Sequence, residues 1–241
     1  MINTKNTLVI IPAHNESKTI GKIIARIKNH LHDTDILIIN DGSTDNTVEI
    51  VKDCGVNVIS LPFNMGYGIA LQTGYKYAWG RGYKCILQMD ADGQHEPKSL
   101  NSLLNAIKKD KEDIIIGSRF LSGSDYQTSS IRRLGIIVFS KITSFIIGQK
   151  ITDPTSGFQA INRQALRFFI SRFYPSDYPD ADVIISLHLA GFRIKEVPVV
   201  MYSAINKKSI HSGLKPFYYV FKMFLSILMI FLRKKYKKEK K

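Results

Sequence analysis

Cysteine is almost missing from this chain. There are two in 241 residues, Cys54 and Cys85, far apart and without ligand spacing. That excludes a disulfide framework and a structural zinc site, and it suits a reducing compartment. No apolar run reaches the roughly 20 residues that a membrane span needs. The longest, "PFYYVFKMFLSILMIFL" (216–232), has 17 residues with Lys222 inside it. No secretory leader is read at the start, where polar residues run into the short apolar stretch Leu8 to Ile11, stopped by Pro12. Also missing are GxxxxGK(S/T), HExxH and GxSxG, so P-loop, zincin and nucleophile-elbow chemistry drop out. Gly66 and Gly68 begin a GxGxxG, but its sixth position is Leu71 and no glycine turn follows the first strand. A dinucleotide site of that type is excluded. "DADGQHEP" (90–97) has its glycine fourth rather than sixth, so it is not an EF-hand loop.

What is abundant is positive charge: 34 Lys and Arg against 20 Asp and Glu, a net +14. The last nine residues, "RKKYKKEKK", hold seven basic residues and one Glu, so +6 belongs to this tail. A short aromatic-rich apolar segment followed by a polybasic stretch reads as an interfacial anchor on an anionic membrane face. The competing reading is a C-terminal core helix with a frayed end. Nucleic acid is not expected as a partner.

Strand and helix patterns alternate. Strands are expected at 7–12, 35–40, 56–62, 84–90 and 113–119. Helices are expected at 17–31, 45–51 and 68–79, and after Pro97 with Leu100, Leu103, Leu104 and Ile107 on one face. This order predicts an α/β domain with a mostly parallel sheet. In the second half, 132–148 reads as a very apolar helix, 152–166 begins as a loop, and 180–191 reads as a helix. Residues 192–202 read as a strand that is broken or at an edge because of Pro198. Residues 1–210 form the expected catalytic domain, and 211–241 the membrane-associating helix and tail.

Ligands of open parallel sheets bind outside the carboxyl ends of the strands. Here those ends read "PAHNE", "NDGSTD", "NMGYG", "DADGQ" and "GSR". Carboxylate at a strand end costs desolvation unless something offsets it. Asp90 and Asp92 on one turn can both reach a hard cation, and Mg²⁺ accepts one or two carboxylates plus substrate phosphates. Such a cation would stabilise a departing diphosphate.

"VIIPAHNE", "NDGSTDNT", "NMGYGIALQTG", "MDADGQHEP", "GSRF" and "DPTSGFQAINRQAL" stand in the order and spacing of family 2 glycosyltransferases with the GT-A fold. Over about residues 7–202 the chain resembles their polyprenyl-phosphate branch, the group that includes dolichyl-phosphate mannose synthase. The resemblance implies a nucleotide-sugar donor linked to UDP or GDP, a polyprenyl phosphate acceptor, and Mg²⁺ or Mn²⁺. It implies that Pro12, Ala13, Glu16 and Asp41 lie by the base and ribose, and that Gly66 and Gly68 let the backbone approach the nucleotide. Asp90 and Asp92 would hold metal and diphosphate, with Gln94 close by. Arg119, Arg132 and Arg133 would face phosphates. Asp153, Ser156 and Gly157 would shape the sugar and acceptor pocket, and Asp182 would stand near the acceptor. Asp92, Asp182 and Arg119 are the expected catalytic set. The family's RxxGxSS-like loop reads "AINKKSIHS" (204–212) here, with Lys207 in place of glycine and Lys207 and Lys208 standing in for the arginine.

The reading favoured is an inverting transferase at the cytoplasmic membrane face that builds cell-envelope glycan. A small membrane protein or a second copy is a possible partner. A phosphate acceptor is already an anion near neutral pH, so it needs cations more than a base. The apolar stretch 134–147 either faces the lipid or is buried in the core. One alternative is transfer to a hydroxyl of a growing polysaccharide, with Asp182 or Asp180 as base. The other is a non-catalytic sugar-nucleotide scaffold.

Overall fold

The computed structural model describes residues 1–109, 111–121, 130–171, 174, 180–203 and 215–232. Lys207, Lys208, the whole of their loop (204–212) and the basic tail fall outside these, as does the side chain of Arg132.

Seven strands form one sheet: β1 (Thr7–Ala13), β2 (Asp35–Asn40), β3 (Asn57–Ser60), β4 (Cys85–Gln88), β5 (Ile114–Ser118), β6 (Gln159–Asn162) and β7 (Ile194–Pro198). Their order is β3-β2-β1-β4-β6-β5-β7. All are parallel except β6, which runs antiparallel to both β4 and β5. The helices are α1 (Ile20–His30), α2 (Thr47–Asp53), α3 (Tyr67–Gly80), α4 (Leu100–Lys109), α5 (Ser130–Ile147), α6 (Arg163–Phe169), α7 (Ala181–Leu189) and α8 (Lys215–Leu232).

The central strands β1, β2 and β4 are nearly all apolar and buried because both faces of the sheet are covered there. Leu8 and Ile10 of β1 face the core that holds Leu71 and Tyr75 of α3, Phe139 of α5 and Ile184 of α7. Val9 and Ile11, one residue out of phase, face the core of α1 and α4. The spacing read for these two helices is the buried stripe: Ile20, Ile23, Ile24 and Ile27 on α1, and Leu100, Leu103, Leu104 and Ile107 on α4. Pro97 opens a 3-10 turn (Pro97–Ser99) that leads into α4, and the Glu96 side chain caps it at Lys98 N–H.

β6 lies inside the stretch 152–166, which was read as beginning in a loop, with no strand expected after it. It has only four residues and polar ends, too little alternation to announce a strand. As the proline led one to expect, β7 ends at Pro198 and, among the described strands, pairs with β5 alone, so proline sits at the sheet edge, where a missing N–H is tolerated. Residues 215–232 form a helix that buries Met223, Ile227 and Ile230 in the core shared with α3, α5 and α7. Among the described residues no helix is long and apolar enough to cross a membrane.

Candidate active site

Six of the seven strands point their carboxyl ends at one edge, and β6 begins there. The loops after β1 and β2 are tied together. Asn15 N–H donates to Ser43 Oγ at 3.0 Å, Thr44 N–H donates to Asn15 Oδ1 at 2.8 Å, and Glu16 N–H donates to Thr47 Oγ1 at 2.9 Å. Pro12 and Ala13 are buried beneath these loops at the end of β1. Asp45 is the brace: burial pushes its pKa up, but hydrogen bonds from Thr47 and Ser17 outweigh this and hold it at about 2.

Asp41 binds the next loop. Its carboxylate accepts Met65 N–H at 2.7 Å and Gly66 N–H at 3.0 Å. Gly66 precedes α3 with φ 99°, a conformation that suits glycine and strains other residues. Gly68 is buried in the first turn of α3.

Asp90 and Asp92 lie on the turn after β4. Asp90 N–H donates to His95 Nδ1 at 3.0 Å, so that nitrogen carries no proton and the ring proton sits on Nε2, 3.7 Å from Asp90 Oδ2. His95 is buried, stacks on Phe158 at 4.6 Å, and has its pKa lowered by burial against the opposing pull of Asp90. It is a neutral structural histidine that shapes the turn. Thr19 Oγ1 donates to the Ala91 carbonyl at 2.7 Å, which joins α1 to the same turn. Gln94 donates to both oxygens of Asp92, through its backbone N–H at 3.0 Å and through its side-chain amide. Tyr67, at the start of α3, donates to Asp90 Oδ1 at 2.7 Å.

The Asp90 side chain is 31% exposed. A Cβ on Gly157 would stand 3.4 and 3.5 Å from its two oxygens, so glycine keeps room against this carboxylate. Among the described residues, no group of three His, Cys, Asp or Glu is placed to hold a metal. Two partly open carboxylates fit a hard cation, Mg²⁺ or Mn²⁺, that completes its shell with phosphate and water oxygens; they do not fit zinc.

Arg119 and Asp153 form a buried pair: Nε to Oδ2 is 2.6 Å, with a second bond from Nη2 to Oδ1 at 3.0 Å. Their side chains are 5% and 0% exposed. Glu196 on β7 accepts Asp153 N–H, Thr152 N–H and Thr152 Oγ1, each at 2.8 Å. Burial raises the Glu196 pKa, and these donors oppose it. Ser156 Oγ donates to the Gly117 carbonyl at 2.6 Å. The DPTSG loop is therefore fixed to β5 and β7. The guanidinium of Arg119, expected to face phosphate, is held by Asp153, with its carbon 5.7 Å from the Phe120 ring centroid. Arg133 is exposed on the first turn of α5.

The structure brings together Glu16, Asp41, Gly66, Asp90, Asp92, Gln94 and Gly157. Asp182 has different partners. It is 6% exposed on α7, accepts Ser226 Oγ of α8 at 2.6 Å, and accepts Val183 N–H at 2.8 Å. Burial raises its pKa, and these bonds only partly offset the shift. Sequence reasoning did not single out Tyr67, Thr19, His95 or Glu196. A lone acidic residue in an apolar strand was the available signal for Glu196, because it needs a partner once buried. Nothing in the spacing shows that the Tyr67 hydroxyl reaches β4.

This sheet order with its acid-rich edge is the GT-A α/β architecture of sugar-nucleotide-dependent transferases. It superposes on glucosyl-3-phosphoglycerate synthase from Mycobacterium tuberculosis, solved with Mg²⁺ and uridine diphosphate. The TM-score is 0.67 at 19% identity, covering 93% of this chain and 78% of that one. The chain belongs to glycosyl transferase family 2, whose model matches residues 8–169. It is similar to the polyprenol monophosphomannose synthase of Mycolicibacterium smegmatis, 32% identical over 81% of this chain and 77% of that protein. It is also similar to the UDP-N-acetylglucosamine–dolichyl-phosphate N-acetylglucosaminyltransferase of Methanococcus voltae, 29% identical over 87% and 92%.

Proposed function

We propose that this glycosyltransferase moves a sugar from a nucleoside-diphosphate sugar to a polyprenyl phosphate at the cytoplasmic face of a membrane, with inversion. The relatives named for lipid-phosphate acceptors support the acceptor class. The observation that favours phosphate over hydroxyl is the position of Asp182. A hydroxyl acceptor needs an available base. The Asp182 carboxylate is instead buried between α7 and α8 and bonded to Ser226. A phosphate acceptor has already lost its proton.

Asp41, Gly66 and the loops after β1 and β2 would receive the nucleotide. Asp90 and Asp92 would hold the cation, with Gln94 and His95 fixing their turn. Mg²⁺ or Mn²⁺ bound there would offset the charge that grows on the leaving diphosphate. Gly157 leaves space beside Asp90, where the donor must pass. Arg132, Arg133, Lys207 and Lys208 are the proposed cations for the acceptor. The exposed face of α8, with Phe221, Leu225, Leu228 and Leu232, would lie in the membrane interface beside the basic tail.

The test is incubation with UDP- and GDP-sugars and undecaprenyl phosphate. The expected product is a glycosyl phosphate, extractable into organic solvent and cleaved by mild acid. Asp182→Asn should lower the rate by less than the ~10²–10⁴-fold of a lost general base. Label found only in water-soluble, acid-stable glycan, with Asp182→Asn inactive, would establish the hydroxyl acceptor instead.

A further inference from the structure

Asp90 receives a hydrogen bond that begins far inside the protein. Tyr75, fully buried on α3, donates its hydroxyl to Gln88 Oε1 on β4. The Gln88 side-chain amide donates to the Tyr67 oxygen at 3.3 Å. The Tyr67 oxygen is thus used as an acceptor, and its proton is directed to Asp90 Oδ1 at 2.7 Å. The three donors point the same way, and chains of this kind strengthen each member.

The backbone of Tyr67 is fixed as well. Asp41 holds the N–H groups of Met65 and Gly66 just before it. The hydroxyl lies close beside Gly157, where a Cβ would come within 2.8 Å of it. Tyr67 therefore joins the loop after β3 to the first carboxylate of the acidic turn.

We propose that Tyr67 is a positioning residue: its hydroxyl sets the orientation in which Asp90 meets the divalent cation. This rests on the reading of Asp90 and Asp92 as metal ligands. A carboxylate that is 31% exposed at a strand end is free to rotate unless something holds it. Tyr67 occupies one lone pair of Oδ1, and Oδ2 lies 3.7 Å from His95 Nε2, so the two groups together fix the plane of the carboxylate. Tyr67 does so from the nucleotide side of the cleft, so the shape of that loop and the strength of metal binding depend on each other. Outer-shell partners of this kind typically change metal affinity by about 10–100-fold when removed.

The experiment is a Mn²⁺ titration, followed by the electron paramagnetic resonance of free Mn²⁺, with UDP and separately with GDP. Tyr67→Phe removes one oxygen and keeps the ring. It should raise the Mn²⁺ dissociation constant about 10–100-fold, while nucleotide binding without metal and the melting temperature show an intact fold. Tyr75→Phe is the control for a purely structural role. It removes a hydroxyl from the same network without touching Asp90, and should lower stability more than Mn²⁺ affinity. Gly157→Ala displaces the Tyr67 hydroxyl by crowding and should weaken Mn²⁺ in the same direction, giving a second reading should Tyr67→Phe fold poorly. Wild-type Mn²⁺ affinity in Tyr67→Phe, or an equal loss in Tyr75→Phe, overturns the inference alone. Wild-type protein that binds nucleotide but no Mn²⁺ overturns the metal reading and this inference with it.

Discussion

Arg119 shows how a side chain chosen for its charge can serve the fold. Its guanidinium is forked onto a carboxylate with no solvent exposure, and removing one member of such a pair typically costs about 3–5 kcal/mol. Arg119→Leu should therefore lower stability by that order, and the double variant with Asp153→Leu should recover most of it in urea melts. Equal stability of the single and wild-type proteins would mean that water reaches Asp153. Asp182 gives a prediction of opposite sign. Burial raises its pKa, so the folded chain holds a proton there more tightly than the unfolded chain. That contribution to stability is complete below the ordinary carboxylate range and is lost as pH rises through the folded pKa. Asn keeps one oxygen for Val183 N–H, can donate its amide to the Ser226 hydroxyl, and never ionises. Asp182→Asn should then melt above wild type near neutral pH, and the gap should close as pH falls through the carboxylate range. A gap that does not vary with pH would show that ionisation of Asp182 is not its source.

Elements were legible where burial imposes a period. The stripes of α1 and α4 and the two-sided strands β1 and β2 were read from the sequence because both faces of this sheet are dry. β6 was not, because Gln159 and Asn162 are spent on local bonds: the Gln159 amide goes to the Ser156 carbonyl, and Asn162 caps α6. The acidic turn was legible because carboxylates at a strand end are unusual. The partners of those carboxylates were not, because Tyr67 and Thr19 meet the turn only through the tertiary fold. The packing of α3 was also hidden. A Cβ on Gly74 would stand 2.6 Å from Ile10 Cγ2 and 3.4 Å from Ile39 Cγ1, so helix and sheet meet at closest approach here. Gly74→Ala gains about 1 kcal/mol of helix propensity but overpacks a site where Ile10 is fully buried, at a typical cost of about 1–3 kcal/mol. We expect a net loss of stability in thermal melts; a stabilised variant would mean that α3 moves away from β1 freely.

At the scale of the whole molecule, α8 has two sides. Met223, Ile227 and Ile230 face the core, while Phe221, Leu228 and Leu232 are 65%, 55% and 66% exposed. Full burial of such side chains is worth about 1.5–3 kcal/mol each, and each basic residue near an anionic surface adds about 1 kcal/mol at low salt. Phe221→Ser, Leu225→Ser and Leu228→Ser together should abolish flotation with anionic vesicles at high salt and leave part of it at low salt. Unchanged flotation at high salt would assign the contact to another face, and the exposed Leu134 and Phe145 of α5 are the next to change. The sheet carries a different consequence, one of timing. β5 and β7 connect to the other four strands only through β6. A chain growing from its amino end therefore completes β1 to β4, and then β5, before it has the strand that joins them. Until Gln159–Asn162 emerge, β4 and β5 each present an unpaired edge, the kind of edge to which a neighbouring nascent chain can add. The late antiparallel strand closes the gap between them and gives the acidic turn its wall at Gly157, while the outer edge of β5 stays open until β7 follows.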